Sequence, residues 1–225
     1  IREYIRAKQK LIALLTEQKQ AIIQHAVTRG LNPDVKLKPS GVDWLGEVPE
    51  HWEVMTLGRL IQLQTGFPFK SEGFSREGGI KLLRGINVSH GKIRWDQVVR
   101  WPAVTPELEQ FRLQVGDIVL GMDRPVIASG VRVAKVEESD LPSLLLQRVA
   151  RLRSNSMLMN EYLMHLLSGS SFSAYLAPIF TGISVPHMSP AQIRGFTVAL
   201  PPLDEQKVIT DHLNTTGSRI STAIS

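Results

Sequence analysis

The 225-residue chain has no cysteine. That absence excludes a disulfide framework, a thiolate nucleophile and any cysteine metal site. It fits a reducing compartment, and a cytoplasmic location is expected. Long apolar runs are missing too: none approaches the roughly 18 residues of a membrane span, and no signal peptide is visible. His25, His51, His90, His165, His187 and His212 are scattered, with no HExxH pair or other ligand spacing. The nucleophile elbow G-x-S-x-G, the phosphate loop and G-x-G-x-x-G are absent as well. No metal and no cofactor are therefore expected, and binding leads over catalysis.

What is present is globular. Hydrophobic residues make up 43% and charged residues 21%, too apolar for a disordered chain. Net charge is +5 and the pI is near 9.6. Residues 1–30 carry six basic and two acidic side chains, whereas residues 50–200 carry sixteen and thirteen. The middle of the chain is thus only mildly basic. A nucleic-acid surface needs those cations gathered on one face.

Helical periodicity marks both ends. In "YIRAKQKLIALLTEQKQAIIQHAVTRG", Leu11, Leu15, Ile22 and Ala26 form a stripe widened by Ile12, Leu14 and Ile23. Arg29, Gly30 and Pro33 supply a stop signal. At roughly 1.5 Å per residue this helix reaches about 40 Å, which suits an arm. Arg6, Lys8 and Lys10 are expected on its wet face. The last segment opens with "PPLDEQKVI", where Asp204 is the expected cap and Leu203 staples onto Val208. Ile209, Leu213, Thr216, Ile220 and Ile224 then share one face. One helix lacks its start and the other its finish, so a piece of a longer protein is expected. Each amphipathic helix needs a partner, and the simplest choice is the other one, packed antiparallel.

Residues 31–50, with their prolines and Trp44, read as an extended connector, neither strand nor helix. Over 51–200 the signals change to short β-type runs: "WEVMTL", "IQLQTG", "IKLLRGINVS", "DIVLGM", "VRVAKV" and "LLLQRVARL". Asn160 is the expected cap of a helix through "EYLMHLL", and Pro178 is expected to break another. Ser189-Pro190-Ala191-Gln192 has capping-box order ahead of the strand-like "FTVAL". The fold class is α+β: a mixed, β-rich domain flanked by two long amphipathic helices, 1–30 and 201–225, packed antiparallel like a coiled coil.

Two catalytic readings fail on chemistry. "LPPL" at 200–203 lacks the polar residue and aromatic ring of an amino-methyltransferase loop. Glu205-Gln206-Lys207 has nuclease-like spacing, but that triad belongs on a strand, where alternate residues share a face, and here it opens a helix.

In order, "LIALLTEQKQAIIQHAVTRGLN", "KPSGVDWLGEVPEHWEVMTLGRL", "GDIVLGMDR" and "SVPHMSPAQIRGFTVALPPLDEQKVI" resemble the DNA-specificity (S) subunit of type I restriction-modification systems. The resemblance runs from about Leu11 to Leu213, and its specificity lies in the combination. It implies a non-catalytic subunit of a restriction endonuclease and adenine methyltransferase complex. In that family two target-recognition domains each read one half of a split DNA sequence. Two long antiparallel helices set the distance between the halves and dock the methylation (M) subunits, which hold the catalytic machinery. By this resemblance 51–200 is a recognition domain. Its expected partners are double-stranded DNA and the M and restriction (R) subunits. With one recognition domain, the chain is either a cut piece, the favoured reading, or a half-subunit that forms a homodimer through its helices.

In such a domain Lys and Arg neutralise phosphates, and a few loop side chains read base edges. The Gly- and Pro-punctuated loops offer Lys70 and Ser71, then Arg84, Asn87, His90, Lys92 and Arg94. Further along they offer Arg124 and Ser129, then Thr181, Ser184 and His187. Trp44, Trp52, Trp95 and Trp101 are expected to pack instead, because duplex DNA offers no unstacked base. Asp117 is expected to serve a turn. The alternatives are a stand-alone nucleic-acid-modifying enzyme with an unrecognised site, and a structural helical adaptor that touches no DNA.

Overall fold

A computed structural model describes residues 2–181 and 186–224. Helix α1 (Arg2–Arg29) leads into a hairpin of β1 (Leu37–Pro39) and β2 (Glu47–Pro49). Next come β3 (Glu53–Thr56), β4 (Ile61–Thr65), β5 (Ile80–Leu83), β6 (Val88–Ser89), β7 (Lys92–Ile93) and β8 (Arg100–Trp101). The strand-rich stretch closes with β9 (Ile118–Gly121), β10 (Val126–Ile127), β11 (Gly130–Val131), β12 (Val133–Lys135), β13 (Ser143–Leu145) and β14 (Val149–Ser154). Helices α2 (Asn160–Ser168), α3 (Ser170–Phe180) and α4 (Pro190–Gly195) precede β15 (Thr197–Leu200) and α5 (Leu203–Ile224). The α+β expectation holds, and each quoted β-type run contains a strand.

An antiparallel sheet in the order β12-β9-β14-β4 forms the centre, with Leu152 set between Leu63 and Ile118. Side chains alternate across it. Ile118, Leu120, Ala150 and Leu152 face the main core, which the helices complete. Val119, Ala134 and Val149 face a smaller core on the other side. Burial on both faces explains why "DIVLG" reads as a continuous apolar run. A second sheet, β13-β5-β8, pairs β13 parallel to β5 and covers a cluster around Phe69, Leu82 and Leu144. Strand β15 returns to pair with β3, so the end of the domain lies beside its beginning.

That closure brings the helices together. Gly30 lies beside Glu205, and Lys19 lies beside Gly217, so α1 and α5 run antiparallel. Gly30 takes the left-handed conformation that ends α1, at φ 75°. The stripe of α1 is covered only near that end, at Ile23, Ala26 and Val27, while Leu11 and Leu14 each stay 52% exposed. On α5, Ile209 and Leu213 are buried. No described helix is long and apolar enough to cross a membrane.

Local expectations need correction at four places. The connector contains the β1–β2 hairpin, with Lys38 opposite Val48. Helix α3 runs two residues past Pro178, whose missing N–H costs one helical bond without ending the helix. Asn160 is the first residue of α2 and not its cap; its side chain accepts from Ser154 N and donates to the Gly116 carbonyl. Finally, the Pro202 carbonyl accepts the first bond of α5, from Gln206 N at 2.9 Å. The helix therefore opens at Leu203, and neither an Asp204 cap nor a Leu203–Val208 staple forms; both apolar residues are exposed. The capping box at Ser189 is present as expected, with Gln192 N on the Ser189 hydroxyl and Ser189 N on Gln192 Oε1.

Candidate nucleic-acid interface

One end of the β-domain gathers loops that are far apart in sequence. Arg132, leaving β11, is the clamp. Its Nε donates to the Arg124 carbonyl, and its Nη1 donates to the carbonyls of Gly85 and Val88. Met122 N donates to the Arg148 carbonyl, Met188 N to the Met122 carbonyl and Arg124 N to the Pro186 carbonyl. Backbone bonds thus fix the turns after β5, β9 and β13, and the approach to α4, against one another. They enclose a cleft of about 400 Å³ lined by Ile86, Asp123, Arg124, Arg132, Gln147 and Arg148.

The cleft is cationic and partly strained. Arg124 and Arg148 have φ of 44° and 66°, the left-handed region where a side chain costs energy and glycine is preferred. Asp123 is the anion among these cations. Its Oδ2 accepts from Arg148 Nη1 at 2.8 Å, and its Oδ1 lies 2.6 Å from His187 Nδ1. Partial burial opposes ionisation of Asp123, but the bonds from Arg148 and His187 outweigh it and hold the carboxyl below its ordinary value. The Arg148 side chain is 63% exposed and that of His187 48% exposed, so both can meet an incoming ligand.

The expected site residues divide sharply. Arg124 lines the cleft, His187 is joined to it through Asp123, and Ser129 is exposed at the tip of the β10–β11 turn. Lys92 and Arg94 are exposed on β7 and just after it. Lys70 and Ser71 are exposed on a short turn beside the Phe69–Trp101 cluster. Thr181 is exposed with its hydroxyl on the Ala177 carbonyl. Ser184 lies outside the described residues. Three others serve the fold instead. Asn87 is 1% exposed, and its amide accepts from Arg84 N and donates to the Arg94 carbonyl. Arg84 donates to the Gln97 carbonyl. His90 Nδ1–H donates to the Val131 carbonyl, and the ring lines a cavity against α1 and α5.

Sequence reasoning missed Asp123, Arg132, Gln147 and Arg148. Gln147 and Arg148 lie inside the apolar run "LLLQRVARL", which reads as unbroken strand; in the fold they are the exposed turn between β13 and β14. Two charged neighbours on β14 are structural: Arg153 forms a forked pair with buried Asp117 at 2.5 and 3.0 Å, and Arg151 bonds the carbonyls of Gln110 and Arg112. The tryptophans pack as expected. Trp52 is fully buried, Trp44 stacks near Phe196, Trp95 donates to Asp140, and Trp101 lies against Phe69.

A family model described as the type I restriction modification DNA specificity domain matches residues 49–225. The specificity subunit of the type I restriction enzyme MjaVIII of Methanocaldococcus jannaschii is 31% identical over 206 residues, covering 91% of this chain and 48% of that protein. The EcoAI specificity subunit of Escherichia coli is 36% identical over 171 residues, covering 75% of this chain and 28% of that one. The chain spans about half the length, or less, of these curated relatives. The HsdS subunit from Thermoanaerobacter tengcongensis shares the fold at a TM-score of 0.62 and 18% identity, covering 98% of this chain and 48% of its own.

Proposed function

The chain belongs to the type I restriction-modification DNA specificity family, and from that membership we propose that it is a non-catalytic module reading one half of a bipartite DNA target. The cleft carries the reading: exposed Arg124, Arg148, Gln147 and His187 are pre-placed by backbone bonds between distant loops. Such an arrangement suits the two tasks of recognition. Arginine neutralises phosphates and reads guanine with its fork, and glutamine pairs with adenine. The antiparallel pair α1–α5 leaves the domain at one edge, and its uncovered stripe at Leu11 and Leu14 suits docking of M and R subunits. The same stripe suits a homodimer, should the chain act as a half-subunit. This role implies a cytoplasmic complex, with methyl transfer and cleavage in its partners.

The test is a paired charge reversal, Arg124→Glu with Arg148→Glu, in the subunit assembled with its M subunits. Fluorescence anisotropy on a duplex is expected to show at least tenfold weaker binding and a flatter salt dependence, with assembly intact. Unchanged DNA binding would favour the helical-adaptor alternative and overturn this assignment.

A further inference from the structure

Asp123 is oddly placed for a phosphate-binding surface. Its negative charge repels the very backbone that Arg124 and Arg148 attract. Nor is its meeting with Arg148 and His187 a chance surface contact. Met122, beside it, bonds both the Arg148 carbonyl and Met188 N, and Asp123 bridges His187 through the backbone. All three side chains are therefore delivered to one point by the fold. Each oxygen of the carboxylate is used, one for each partner. Asp123 is the only hydrogen-bond acceptor of the Arg148 side chain among the described residues, and it takes one N–H of a fork that can give two.

Resting on the DNA-recognition reading, we propose that Asp123 is a specificity-determining residue that withholds Arg148 and His187 from phosphates. An exposed ion pair is weak and exchanges readily. A lone phosphate replaces one acceptor with another and must approach a carboxylate, so it gains little. A guanine edge offers O6 and N7 together, satisfies the fork through two bonds, and carries no net charge to be repelled. Asp123 thus lowers the affinity for wrong DNA more than for the right base, which is how repulsion creates discrimination.

The experiment compares wild type, Asp123→Asn, Arg148→Gln/His187→Gln and the triple variant, each in the subunit assembled with its M subunits. Binding of a random-sequence 30-base-pair duplex is followed across salt concentration. The Asp123→Asn complex is expected to bind that duplex about three- to tenfold tighter, with a log–log salt slope steeper by about 1. In the Arg148→Gln/His187→Gln background the same substitution is expected to tighten binding less than about twofold, because only the direct repulsion by the carboxylate remains to be relieved and the cations it frees are gone. An unchanged or weaker affinity for Asp123→Asn overturns the inference, as does an effect of the same size in the double-variant background. A wild-type complex that binds no duplex overturns the DNA reading together with this inference; wild-type binding with an inert Asp123→Asn overturns this inference alone.

Discussion

Gln206 is where a single residue matters most to the frame. It is fully buried, accepts from Met159 N, and donates to the carbonyls of Met157 and Pro201, each at 2.9 Å. Its neighbour Glu205 accepts from Trp52 Nε1 at 3.0 Å and meets His51 Nε2 at 2.8 Å. The first turn of α5 is thereby tied to the turn before β3 and to the loop before α2. Gln206→Ala leaves three backbone groups short of a partner, the buried Pro201 carbonyl among them, and should cost about 2 kcal/mol of stability. Urea unfolding checks this: the midpoint should fall with the slope unchanged. In the sequence, Glu205-Gln206-Lys207 is legible only as a helix opening. Apart from Pro201, the partners of Glu205 and Gln206 lie 47 to 154 residues away, and no local pattern carries that information. Lys207 faces solvent and pairs one helical turn on with Asp211.

Elements were legible where periodicity met burial directly. Strand β9, buried on both faces, announces itself as an apolar run, and α4 announces itself through its capping box. The β1–β2 hairpin escaped because its strands are three residues long and each ends in proline. The stripe of α1 was legible, but its cover was not: the packed helices bury it fully only at Ile23, Ala26 and Val27. His165 sits at that meeting, on α2, in a cavity of about 380 Å³ with Lys19 of α1 and Asn214 of α5. Burial lowers its pKa to about 4, with nearby Lys19 acting in the same direction and the Asn214 bond and Glu161 partly offsetting it. The unfolded chain takes up this proton below about 6.5, whereas the native chain resists until about 4. Stability from this group is therefore fully present near neutral pH and is lost as pH falls through that window. Between pH 7.5 and 4.5, wild type should lose about 2 kcal/mol more than His165→Gln in urea titrations. Equal losses would show that the proton is not excluded by packing at the helix junction.

For the whole molecule, the order of parts was readable and the site was not. Two amphipathic ends around a β-rich middle follow from periodicity, and the pairing of β15 with β3 explains why both helices leave from one edge. The cleft depends instead on Arg132 drawing together carbonyls at 85, 88 and 124, and on the turn of strained Arg148, which looks like a strand residue. Charge counting also overstated the free cations, since Arg84, Arg132, Arg151 and Arg153 are committed within the fold. The proposed function assigns a division of labour across these scales: residues 51–200 for reading sequence, and the helix pair for setting distance and holding partners. Replacing residues 51–200 in the full subunit with the equivalent domain of another specificity subunit, then mapping methylated adenines genome-wide by single-molecule sequencing, tests that division directly. One half of the bipartite target should change to the donor's while the other half and the spacing persist. A target that stays the same in both halves would contradict the assignment of DNA reading to this domain.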